Sequence, residues 1–197
     1  MHQARSKGFH FVRLPLTVFL AGSVVMVIEL LGTRVIAPHY GTSLYVWASL
    51  MTVTMVALSL GYSWGGRLAD RREGKGLRLI LVIAAGFILL IPVTQGFVLN
   101  MTDPLGIRMG SLTSSTLLFL PALTCLGMVS PFALKMDSHA LKSVGSTAGR
   151  LYAISTLGSV AGTLVLGFVL FPLFGTQTLL ISSSVALILS ALILGEA

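Results

Sequence analysis

Charge is scarce in this 197-residue chain: 13 Lys and Arg and 6 Asp and Glu make up 10% of it, against about a quarter in a soluble domain. That shortage excludes a soluble enzyme. Cysteine is reduced to Cys125, set in an apolar run, so neither an intrachain disulfide nor a cysteine metal cluster can form. His2, His10 and His139 stand in polar segments without ligand spacing, and no metal site is expected. No run alternates with period two, which argues against a membrane barrel. There is no Gly-rich phosphate or dinucleotide loop and no nucleophile elbow, so no catalytic residue and no cofactor is assigned.

What is abundant is apolar surface, with 55% hydrophobic residues and a mean hydropathy of +0.94. A spanning helix needs about 20 residues, so the length accommodates six spans and no second, soluble domain. The expectation is an all-α, polytopic membrane bundle forming one domain over residues 1–197, with spans near 15–31, 44–64, 77–99, 115–136, 151–174 and 176–194. Punctuation sets these limits: a turn at Ala37-Pro38-His39-Tyr40-Gly41, a loop from Asn100 to Thr113 around Asp103-Pro104, and a short turn at Gly175. The charged start and first apolar stretch read as an uncleaved span, because the stretch is long, contains Glu29 and lacks a small-x-small cleavage site.

The net charge of +7 does not mark a nucleic-acid binder, since the bases sit between apolar blocks instead of on one soluble face. They mark orientation. With an inside amino terminus, the inner segments hold Arg5, Lys7, Arg13, Arg67, Arg71, Arg72, Lys75, Arg78, Lys135, Lys142 and Arg150, and only Arg34 and Arg108 fall outside. Cytoplasmic loops carry such an excess, so both termini are expected in the cytoplasm and the chain in the inner (cytoplasmic) membrane.

Glu29 is the one acid inside an apolar span, where a carboxylate is costly unless paired, protonated or facing water. It reads either as a binding or proton-coupling group or as a packing lock on Arg34 or a neighbouring backbone. Arg34 follows five residues later on a neighbouring face. Tyr40, Tyr45 and Trp47, close to His39, read as interfacial anchors or as a cage for an organic cation with Glu29 as deeper counter-charge. The loop holding Arg67, Asp70, Arg71 and Arg72 reads as an electrostatic latch and partner-docking surface or as an anchor to anionic lipid. Gly61 with Gly65 and Gly158 with Gly162 have G-x-x-x-G spacing, the mark of close helix packing, and Ser155, Ser159 and Thr163 extend the second stripe. Pro92, Pro121 and Pro131 are expected to kink their helices. No internal repeat relates the first three spans to the last three.

Several segments together carry a family resemblance: Glu29-Leu30, Arg34, Ala37-Pro38, Gly41, Ser43, Trp47, Leu58-Ser59-Leu60-Gly61-Tyr62 and Gly65-Gly66-Arg67-Leu68-Ala69-Asp70-Arg71. Gly127-Met128-Val129-Ser130-Pro131-Phe132, Gly149-Arg150-Leu151-Tyr152-Ala153 and Ser155-Thr156-Leu157-Gly158-Ser159 agree with it. The chain resembles the membrane region of the fused major-facilitator/spermidine-synthase family over nearly its whole length. The resemblance implies a bundle similar to half of a major-facilitator transporter. It also implies a link to polyamine aminopropyltransferase chemistry, though the sequence has no counterpart of the soluble synthase domain. The loop from Gly66 is similar to the inner-loop motif of those transporters but departs from it at Arg72-Glu73-Gly74.

The leading expectation is a membrane domain that binds, passes or presents a small organic solute, a polyamine by that resemblance, through Glu29, Arg34, Tyr45 and Trp47. It would work beside the lipid bilayer with a separate aminopropyltransferase-like or other partner, as a homodimer or hetero-oligomer, without being an enzyme on its own. The alternative is a non-transporting structural or anchoring subunit of a membrane complex.

Overall fold

The computed structural model describes residues 2–72, 76–137 and 144–194, with side chains from Arg13 onward. Glu73, Gly74, Lys75, His139 and Lys142 lie outside the described residues, as do the side chains of His2, Arg5, Lys7 and His10. The order is α1 (His2–Tyr40), α2 (Leu44–Arg71), α3 (Leu77–Thr102), α4 (Gly106–Asp137), α5 (Val144–Leu164), a π-helical segment (Val165–Leu170), α6 (Phe171–Leu173) and α7 (Thr176–Leu194). No strand occurs among the described residues.

Among the described residues five stretches of helix, not six, are long and apolar enough to cross a membrane: Arg13–Tyr40, Leu44–Arg71, Leu77–Asp137, Val144–Leu173 and Thr176–Leu194. The third takes in both α3 and α4, because the loop expected over Asn100–Thr113 is almost entirely helical. It shrinks to a single 3-10 turn, Asp103–Leu105, closed by Gly106 at φ 71°, a left-handed conformation that glycine adopts without penalty. The turn expected at Ala37–Gly41 is likewise helix as far as Tyr40. The Ala37 carbonyl accepts from the Gly41 amide at 2.8 Å, and Gly41, at φ 71°, ends α1. Ser43 then caps α2 by accepting from the Val46 amide. The fourth helix therefore starts nine residues before Ser115, at Gly106, and the fifth starts at Val144 instead of Leu151. Pro92, Pro121 and Pro131 all lie inside continuous helices.

Small residues set which helices touch. On α2, a side chain at Gly61 would strike the Thr124 carbonyl and Gly127, and one at Gly65 would strike Met128, so α2 and α4 meet backbone to backbone. Ser49 and Ser111 share a hydrogen bond of 3.1 Å in the same interface, and Lys135 reaches Asp70 at its far end. The residue numbers rise together, so α2 and α4 are parallel. On α5, Gly158 lies against Phe19 and Gly162 against Ser23, while Ser159 donates to the Gly22 carbonyl at 3.0 Å. This pair, α1 with α5, is parallel too. Both glycine pairs are thus packing surfaces within one chain, and neither is left free to pair two protomers.

The rest of the packing completes a pattern. The main contacts are α2·α4, α1·α5, α3·α4, α1·α7, α3·α7, α1·α4, α1·α2 and α4·α5. Exchanging α1, α2 and α3 with α4, α5 and α7 leaves these main contacts unchanged, the slight α1·α3 contact being the exception. A repeat absent from the residues is present in the packing, and α1 and α4 run in opposite directions, so it is of the inverted kind. Ser184 donates to the Ala85 carbonyl and Ser190 to Thr17, tying α7 to α3 and to α1. Such bonds between apolar helices contribute about 0.6 kcal/mol each. Large apolar side chains face outward, Val93, Phe97 and Phe168 being 78%, 74% and 80% exposed, which fits a hydrocarbon surrounding.

Candidate functional site

Positions 22, 26, 29 and 33 of α1 succeed one another at helical spacing and form one face. At its lower end Gly22 and Met26 line a cavity of about 170 Å3 among α1, α2, α4 and α5, whose polar lining is the hydroxyl-bearing residues Tyr62, Ser130, Ser155, Thr156 and Ser159. At its upper end Thr33 lines a second cavity of about 210 Å3, with Ser43 and Trp47 opposite. Glu29 stands on the same face between the two cavities and lines neither. It is half-buried, and it has no hydrogen bond or ion pair among the described residues. The packing-lock reading, in which Glu29 binds Arg34 or a neighbouring backbone, is not what the structure contains.

The α1–α5 register sets the depth of Glu29 along the neighbouring helix. Phe19 faces Gly158, Ser23 faces Gly162 and the Arg34 guanidinium lies 3.8 Å over the Phe171 ring, so Glu29 is level with Leu166 and Gly167. Those residues belong to the π-helical segment Val165–Leu170. A π-helical turn is rare and concentrates at functional sites.

The four residues expected to bind solute do not form one site. Arg34 points away from the Glu29 face, towards Phe171, and lines a cleft between α1, α3 and α7 with His39, Gln95 and Gln177. Tyr45 is exposed beneath the Arg108 guanidinium, 5.0 Å from ring centre to Cζ. Trp47 does share the upper cavity with Thr33, next above Glu29 on its face. Tyr40, grouped with these aromatics by sequence, is buried and donates to Thr102 at 2.8 Å. His39 pairs with Asn100 at 3.3 Å. The aromatic cage for an organic cation is therefore not assembled: Tyr40 is bound to Thr102, Tyr45 lies beneath Arg108, and Trp47 and Arg34 line two separate cavities.

At the basic end of the bundle Asp70 accepts from Lys135 at 2.9 Å, linking α2 to α4, and Asp137 pairs with Arg150, linking α4 to α5. Arg67, Arg71 and Arg72 are exposed and have no acidic partner among the described residues. Among the described residues no group of three His, Cys, Asp or Glu could hold a metal ion.

The sequence marks neither Gln95 nor Gln177 as a site residue, holds Tyr62 only within the family-like segment, and sets Ser155 and Ser159 on a stripe that reads as a helix contact before a ligand site. Gln95 and Gln177 did carry a signal, an amide side chain within or at the edge of an apolar run. Ser159 turns out to do both jobs, closing the α1–α5 contact and lining the central cavity. Compared with known proteins, the chain matches no family model, no curated protein and no solved structure.

Proposed function

We propose that this chain is a six-span membrane domain that binds or passes a small organic cation along the Glu29 face of α1. The observation that carries the reading is an unpaired carboxylate on an apolar helix, set between two cavities on one face. Intramembrane acids are costly and mark solute or ion pathways. The central cavity, lined by hydroxyls, is about as large as one that admits a benzene-sized molecule, which suits a short alkylamine segment whose charge is met by Glu29. Polyamines are the solute class that the family resemblance names.

The count of six follows from length. As one straight helix Leu77–Asp137 would be about 90 Å long, about three times the hydrocarbon thickness, so its break at Asp103–Leu105 is read as the point where the chain turns back. The basic end, with Arg67, Arg71, Arg72 and Lys135, is read as cytoplasmic, in the inner membrane with both termini on that side. Its exposed guanidinium groups suit an acidic surface on a cytoplasmic, aminopropyltransferase-like partner. The same exposed bases favour the second reading, an anchoring subunit without transport. A pair of such domains makes a complete transporter, and with both glycine faces filled, two copies have to meet on another surface.

Glu29→Gln decides between these readings. In purified protein, spermidine affinity is expected to fall about thirtyfold or more, the loss of a desolvated charge pair, with the melting temperature unchanged. Equal binding by both proteins, or none by wild type, would leave the anchoring subunit.

A further inference from the structure

Arg34, turned away from the Glu29 face, lines a cleft of its own. The cleft has a volume of about 490 Å3 and is lined by Arg34 and His39 from α1, Gln95 from α3, and Thr176, Gln177 and Thr178 from α7. That volume lies within the range of small-molecule sites. No carboxylate is among the lining residues, and Arg34 has no acidic partner among the described residues, its one contact being the Phe171 ring. Stacking on a ring holds the guanidinium plane in place while leaving its edge N–H groups free to donate. Gln95, Thr176, Gln177 and Thr178 add amide and hydroxyl donors around the one cation, and Val35, Pro38 and Leu99 supply apolar wall. The first backbone bond of α7 runs from the Leu179 amide to the Gly175 carbonyl at 3.1 Å, so the amides of Thr176, Gln177 and Thr178, the residues lining the cleft, have no partner within the helix. Arg34 and these amides favour an anion, while the last turn of α1, which holds Pro38 and His39, brings the carbonyl end of a helix to the same cleft.

We infer that this cleft binds the phosphate of an organic phosphate, with Arg34 as the fixed fork and Gln95 and Gln177 holding the attached body. The cleft lies at the end of the bundle opposite the Asp70–Lys135 pair, at the level of the headgroups if the membrane reading holds. Two sources share this chemistry there: a phospholipid headgroup and a free phosphorylated solute. The site lies across α1 from Glu29, so it stands or falls independently of cation binding.

Delipidated protein in neutral detergent, titrated with glycerol phosphate and separately with phosphatidylglycerol and read by native mass spectrometry, tests the inference. One saturable equivalent is expected. A response to glycerol phosphate assigns a free solute, and a response to the lipid alone assigns the headgroup. Arg34→Gln is expected to weaken binding about tenfold or more, the loss of a charge-assisted hydrogen bond, whereas Arg108→Gln, the same charge change beside Tyr45, leaves it within about twofold. Gln177→Leu keeps every charge and is expected to weaken binding about threefold, which separates the effect from a folding defect in Arg34→Gln. No saturable binding of either probe, equal losses in Arg34→Gln and Arg108→Gln, or wild-type affinity in Gln177→Leu overturns the inference.

Discussion

Glycine does two different jobs in this chain, and substitution tells them apart. A side chain added at Gly158 meets the Phe19 carbonyl, and one at Gly61 meets the Thr124 carbonyl, whereas at Gly86 nothing lies within 4 Å. Backbone cannot yield as a flexible side chain does. Gly158→Leu and Gly61→Leu are therefore expected to destabilise the protein by about 3 kcal/mol or more, at or beyond the upper end for overpacking. Gly86→Ala should be neutral or stabilising by up to about 1 kcal/mol, since alanine forms helix better. Thermal melting of the three variants in one detergent checks this, and equal melting of Gly158→Leu and Gly86→Ala would refute the contact. Residues at this scale were legible where they were rare for their setting. Glu29 stood out as the lone acid in an apolar run, and the glycine pairs stood out by spacing. Arg34 was grouped with Glu29 because it follows closely in sequence, but five residues of helix turn it onto another side.

At the scale of helices, the sequence marked every long apolar stretch as helix but expected six spans where five such stretches form, and it misjudged their ends. Asp103-Pro104 and Pro38 carry the composition of loops, yet helix runs to Thr102 and to Tyr40. Composition marks where the chain is able to turn, and the positive φ at Gly41 and Gly106 sets where it does. The π-helical segment Val165–Leu170 had no sequence signal, because its residues are as apolar as those of any span. The pairing of α2 with α4 and of α1 with α5 was also out of reach, since a small-residue stripe declares a close contact without naming its partner. The parallel α2–α4 register is directly testable. In a Cys125→Ala background, Ser49→Cys with Ser111→Cys is expected to cross-link under mild oxidation, since the two hydroxyls lie 3.1 Å apart. Ser49→Cys with Ser115→Cys, about one turn off register, should not, and the reverse result would mean a shifted helix pair.

Across the whole molecule, an apolar exterior, a pairwise-exchangeable packing network and a carboxylate between two cavities belong to one design. In inverted repeats solute sites lie where the two repeats meet, and Gly22 and Tyr62 from α1 and α2 line one cavity with Ser130 and Ser159 from α4 and α5. The repeat escaped notice in the sequence because packing needs only small residues at matching depths, not matching residues. The central claim is that the Glu29 face of α1 is a path open to water and to an organic cation. It is tested most directly by the rate at which Met26→Cys, in the Cys125→Ala background, reacts with a membrane-impermeant thiol reagent with and without spermidine. The account predicts measurable labelling that saturating spermidine slows about tenfold, the fraction of sites left free at about ten times the dissociation constant. A thiol that never labels, or labels at one rate whatever the spermidine concentration, would contradict it.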